Sequence, residues 1–102
     1  MKRFAANYVY VSQLALLKQY VVEINEEGLV INLFPLTEEL HSVSWLPGLL
    51  VLHKGEFSPV DINSIRKFVH AKSLSPEMLH TITSSEYQLT QVPAFDFSTL
   101  FS

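Results

Sequence analysis

Hydrophobic and polar positions alternate with period two through the first half of the chain and follow a helical period through the second. The change falls near residues 54–59. Phe4 to Val11 is rich in β-branched and aromatic residues, so a strand there points Tyr8 and Tyr10 to one face and Val9 and Val11 to the other. "QYVVEIN" and "LVINLF" flank "EEG", where Gly28 can take the positive φ that a short hairpin loop needs at its last position. In that hairpin Val22 and Ile24 share one face with Val21 and Glu23 opposite, while Leu29, Ile31 and Leu33 alternate with Val30, Asn32 and Phe34. After Pro35 and the acidic "TEEL" come a short extended piece, "HSVSW", a turn at Pro47-Gly48 and a last strand, "LLVLH". The pattern predicts about five strands, whose apolar face needs a second layer to cover it.

The second half opens on a helix-start pattern. Ser58 offers a hydroxyl N-cap, Pro59 stands where its missing N–H costs nothing, and Asp61 places a carboxylate in the positive first turn. Ile62, Ile65, Phe68 and Val69 then form one stripe, with Asn63, Arg66, Lys67 and Lys72 elsewhere. The device recurs at Ser75-Pro76-Glu77, opening a shorter helix with Met78, Leu79 and Ile82 on its apolar side. The tail can begin as a strand through Val92 and then ends in aromatics broken by Pro93. Phe95, Phe97, Leu100 and Phe101 are too apolar for a solvated tail and are expected to pack on this domain or on a neighbour. A single α+β domain over residues 1–102 is therefore expected, β-rich in 1–55, with two helices and an apolar tail in 56–102.

Composition narrows the function classes. The chain has 102 residues, 48% hydrophobic and only 17% charged, which is apolar for a monomeric domain and points to surface facing a partner, beginning with a second copy of itself. A net charge of −3 gives no basic field for nucleic acid, so no nucleic-acid partner is expected. Without cysteine there is no disulfide frame, thiolate zinc site or cysteine nucleophile. The basic pair Lys2-Arg3 followed by apolar residues has the outline of a signal peptide, but Asn7, Ser12 and Gln13 interrupt it. No stretch is apolar for the 18 or more residues a membrane span requires, so no membrane association and a cytoplasmic location are expected.

The order "KRFAANYVYV…LLKQYVVEINEEGLVINLF…WLPGLLVLH" resembles the opening of the amidohydrolase superfamily, particularly its chlorohydrolase and aminofutalosine-deaminase-like members. Leu17, Lys18, Val21, Val22, Glu27, Gly28, Val30 and Ile31 occupy matching hairpin positions. Pro47, Gly48 and His53 match the family's proline, glycine and first metal-binding histidine. The resemblance covers about the first 55 residues and implies a small β-sandwich-like sheet, the composite domain that stands beside a (β/α)8 barrel in those metal-dependent hydrolases. The family's His-x-His puts two imidazoles on one side of a strand, where they grip one ion. Gly55 stands at the second position here, so His53 is left as a weak metal candidate and the pair is broken. The barrel, of about 250 residues, has no room after Gly55. A second alignment fits as well: the family's C-terminal return strand to the composite domain, "kPGLvLiegvd", resembles "LPGLLVLHKGEF", and His53 then becomes an ordinary strand residue.

Each candidate also has a plain structural reading. His53 reads as a partly buried, hydrogen-bonded histidine at a strand end, and Asp61 as a helix cap. His70 and His80 are ten apart, not at the four-residue spacing that puts two ligands on one helical face. Glu26-Glu27 reads as a solvated hairpin tip and Glu38-Glu39 as an exposed turn; His41 adds no ligand spacing. Trp45 and the tyrosines read as packing ahead of interface. No motif activates a serine or cradles a phosphate. No catalytic residue, metal or cofactor is therefore assigned. The leading expectation is a non-catalytic, stand-alone relative of the composite domain that works in protein interaction or self-association. The alternative is a subunit or fragment of a C–N-bond hydrolase whose chemistry lies in a separate barrel.

Overall fold

A computed structural model describes residues 2–37, 42–59, 61–71 and 73–100. It is a mixed α+β fold: β1 (Lys2–Val11), β2 (Ala15–Ile24), β3 (Val30–Pro35), β4 (Val43–Trp45), β5 (Leu49–Lys54), α1 (Ile62–Arg66), α2 (Pro76–Ser84), β6 (Tyr87–Val92) and a 3₁₀ turn at Phe97–Thr99. The Cα radius of gyration, 12.6 Å, is that of a compact domain of this length.

The six strands of the described residues belong to one sheet, in the order β3-β2-β1-β5-β6, with β4 also on β1. The count exceeds the expected five because β6, begun in the tail, is drawn into the sheet antiparallel to β5. Residues past 55 therefore supply a strand as well as both helices. Long β1 takes β2 antiparallel along one side. On its other side it takes β4 and β5 in turn, both parallel, β4 against Arg3 to Ala5 and β5 against Tyr8 to Val11. The sheet curls until Leu29 meets Gln88 in an isolated antiparallel bridge. The chain before β6 is α2, which packs along β3.

Both faces of the sheet are covered. One carries Val9, Val11, Leu17, Val22, Val30, Leu33, Leu50 and Leu52 under Ile82 of α2, with Leu79 partly buried beside it. The other carries Tyr10, Leu16, Leu49 and Val51 under Ile65 of α1, closed by Leu100 and by partly buried Phe95 and Phe97. The tail thus packs on its own domain as far as Leu100. The tyrosine and valine faces of β1 fall as their alternation requires. Central β5 is buried from Leu49 to His53, which explains its unbroken apolar run.

Strict alternation fails at two places. Phe4, Ala6, Val9 and Val11 all join the same core, so β1 changes parity at Asn7; β2 does the same between Leu17 and Tyr20, around Gln19 at φ +55°. In β3 the expected faces do not hold, because Val30 and Leu33 both turn inward. The pairing runs Val22 with Leu33, Glu23 with Asn32 and then Ile24 with Val30, which leaves Ile31 as the extra residue of a bulge. The hairpin itself closes as expected. Gly28 sits at φ +83°, and Asn25 Oδ1 accepts the N–H groups of Glu27 and Leu29 at 2.9 and 3.0 Å.

The helix starts differ from one another. α2 begins as the sequence requires, with Ser75 Oγ accepting the Met78 N–H at 3.2 Å and Pro76 in the first position. α1 starts three residues later than Ser58 implies: Asp61 is the N-cap, its Oδ1 accepting the Asn63 N–H at 3.0 Å. The carboxylate competes successfully for the cap because it offers a charged acceptor to the free N–H groups. Expectations for Glu38, Glu39, His41, Lys72 and Phe101 fall outside the described residues.

Candidate functional site

The C-terminal ends of β1 and β5 open into a cleft of about 430 Å³. Buried Tyr10, Val51, His53 and Tyr87 form its floor; Gln13, Lys54, Glu56, Phe57 and Asp61 stand exposed around it. Two local features make this shape. β1 turns away through residues 12–14, with the Ser12 N–H bonded to the Leu52 carbonyl at 3.0 Å and the Gln13 N–H to the Tyr10 hydroxyl at 3.2 Å. After Lys54, Gly55 at φ +67° takes the chain off the strand, and residues 54–59 remain exposed until Asp61 caps α1.

His53 is 8% exposed, and its ring nitrogens both have partners. Nδ1 lies 3.0 Å from the Gly55 carbonyl, which can only accept, so Nδ1 carries the proton. Nε2 then accepts from the Thr90 hydroxyl at 2.7 Å. Thr90 is opposite Val51 in the β5–β6 ladder, the diagonal neighbour of His53 on the same face. A hydroxyl on an imidazole oriented from behind has the outline of a nucleophile and its base. Thr90, however, is not among the residues that line the cleft. The Phe57 ring meets His53 edge-on, centroids 5.4 Å apart, and is itself 37% exposed.

The structure does not bring the other sequence candidates here. His70 and His80 are exposed on the helical part, and Glu26 and Glu27 are exposed at the hairpin tip. Among the described residues no three His, Cys, Asp or Glu side chains converge as a metal site would require. Trp45, read as packing, is 49% exposed on β4, whereas Tyr10 and Tyr87 are core residues. Asp96 lies away from the cleft, its carboxyl held below the ordinary 3.8 by the Ser98 hydroxyl and then the Ser98 amide. Arg3 and Glu23, directly opposite on β1 and β2, form an ion pair at 2.6 Å.

Phe57 and Thr90 were not singled out by the sequence. Phe57 had a legible signal, an aromatic isolated between Gly55 and Pro59 with no periodic stripe to bury it. Thr90 had none, since only the β5–β6 register sets it beside His53.

No helix among the described residues is long and apolar enough to cross a membrane. Compared with known protein families, curated proteins and solved structures, the chain has no match in any of the three.

Proposed function

We propose that this chain is a non-catalytic, stand-alone relative of the composite domain of metal-dependent amidohydrolases, acting by protein–protein contact and first of all by self-association. The observation that carries the reading is the state of His53. At the position that resembles a metal ligand, the imidazole lone pair is taken up by Thr90 and its N–H by Gly55, and the strand ends before a second ligand could follow. A histidine so engaged serves the sheet, which supports a role carried by the surface of the fold.

The surface argument has to be drawn more narrowly than composition suggests. Covering both faces of the sheet absorbs most of the apolar residues, so a high hydrophobic content is accounted for without a partner. Trp45 and Phe57 are what remains exposed among the large apolar side chains of the described residues.

Light scattering on the purified chain tests the reading: mass should rise with concentration, and a strict monomer at every concentration would sink self-association. Metal analysis tests the non-catalytic half, with stoichiometric zinc or iron as the contrary result. The cleft favours one second reading, a hydrolase subunit that binds a small heterocycle between sheet and helices while a separate barrel performs the chemistry. Co-purification with a barrel protein would support it.

A further inference from the structure

Three buried polar side chains line the floor of the cleft, and they differ in what they have left to bind. His53 is fully engaged, with Nδ1 on the Gly55 carbonyl and Nε2 on Thr90. Tyr10, 3% exposed, is half engaged: its oxygen accepts the Gln13 N–H at 3.2 Å, while its own O–H donates to no group among the described residues. Tyr87, 7% exposed, has no hydrogen-bond partner among them. Every fully enclosed side-chain nitrogen or oxygen of the described residues is paired, so the Tyr87 hydroxyl reaches the surface, and the hollow that Tyr87 lines is this cleft. Two phenols, each more than nine-tenths buried, therefore bring unused donors to one opening, where whatever fills it has to accept them.

The place suits a small molecule. β1 and β5 are parallel neighbours whose chains part past their C-terminal ends, β1 turning back into β2 and β5 leading to α1. Such a parting leaves a crevice, and about 430 Å³ falls within the range of small-molecule sites. Tyr10 belongs to the core under α1 and Tyr87 to the core under α2, so the two hydroxyls come to the strand ends from opposite faces of the sheet. Val51 and Phe57 supply apolar wall between polar groups. Around the rim two carboxylates, Glu56 and Asp61, outnumber the Lys54 ammonium, a balance that disfavours an anion.

We propose that the cleft binds a small uncharged dicarbonyl compound, one oxygen accepting from the Tyr10 hydroxyl, the other from Tyr87, with the apolar body between them. The site adds a ligand to the non-catalytic reading and depends neither on self-association nor on a separate barrel.

Amide NMR of the full chain, titrated with cyclohexane-1,4-dione, is the test, with a dissociation constant on the order of 1–10 mM expected for so small a probe. The Gln13 amide is bonded to the Tyr10 hydroxyl, so it should shift saturably as that hydroxyl takes up the ligand. Tyr87→Phe removes a hydroxyl bonded to nothing else among the described residues; the unfolding midpoint without ligand should hold while dione binding weakens about fivefold. Tyr10→Phe should weaken binding by a similar factor, and cyclohexanone, with one carbonyl, should bind the unaltered chain about fivefold less tightly than the dione. The anion 4-oxocyclohexanecarboxylate should bind more weakly still, the gap narrowing at high salt.

A Gln13 amide with no saturable shift means that the cleft holds water alone and overturns the site. Affinity unchanged in Tyr87→Phe overturns the assignment of the donors, and tighter binding of the anion overturns the uncharged class. A chain that binds the dione yet stays monomeric in light scattering supports the site and overturns self-association alone.

Discussion

Gly48 is the residue on which the junction of β4 and β5 depends. It lies at φ +85°, and a Cβ there would collide with the Val92 carbonyl oxygen and come within 2.7 Å of Pro93 Cα. Those are backbone atoms of Val92, which pairs with Leu49, and of Pro93 next to it, so they cannot swing aside as a side chain can. Gly48→Ala should therefore cost about 3 kcal/mol or more in denaturant unfolding, against about 1 kcal/mol for Gly28→Ala, where φ is +83° but the space is open. Equal losses at the two sites would contradict the steric account. At His53, Thr90→Val leaves a buried Nε2 without its donor and should cost about 1–2 kcal/mol in the same measurement. The Pro-Gly turn was legible in the sequence, as was a hydrogen-bonded histidine at the strand end. That the glycine is needed for close backbone approach, and that the partner is Thr90, required the β5–β6 register.

Among the elements, the two helix starts make a controlled comparison. Both segments carry Ser-Pro, yet only Ser75 caps a helix; at α1 the cap is Asp61. Ser75→Ala and Asp61→Ala should each cost about 1 kcal/mol, while Ser58→Ala should stay within about 0.5 kcal/mol. A loss at Ser58 equal to that at Ser75 would return the start of α1 to the place the sequence pattern assigns it. The stripe of Ile62, Ile65, Phe68 and Val69 also outlasts its helix. Past Arg66 the chain continues in tighter turns, Phe68 N–H to Ile65 O at 2.8 Å and Ala71 N–H to Phe68 O at 2.9 Å, and Phe68 still reaches Tyr10 with centroids 6.0 Å apart. Burial, not helix type, is what the periodicity reported. The 3₁₀ turn at Phe97 has its own pH dependence. The carboxyl of Asp96 is depressed below 3.8 in the folded chain, so its contribution is present above that value and lost as pH falls through the lower, folded one. Acid titration followed at the Ser98 amide by NMR should show the turn loosening below 3.8, and no change there would remove Asp96 as its cap.

For the whole molecule, one sheet separates two cores. Ile82 is fully buried on the α2 side and Ile65 on the α1 side, in clusters that share no member. Each Ile→Ala change should cost about 2–5 kcal/mol, and the double variant should lose the sum within about 0.5 kcal/mol, because the sites lie on opposite faces with no common neighbours. Strong non-additivity would mean that the sheet transmits strain between the layers. The arrangement also revises what the apolar composition means. A sheet covered once leaves a face for a partner, but this sheet is covered twice, and the helices and aromatic tail consume the surplus.

The sequence by itself determined the local features, because those depend on neighbours a few residues apart. The hairpin at Gly28, the Ser75 cap and the two faces of Tyr8–Val11 all follow from spacing and backbone preference. Only the tertiary structure decided which strands meet, since pairing across tens of residues is set by the joint burial of both faces. It placed β4 and β5 in succession on one side of β1, turned the tail into β6, and put Thr90 on His53. It also left Trp45 and Phe57 in solvent at opposite ends, because exposure depends on what the rest of the chain fails to cover.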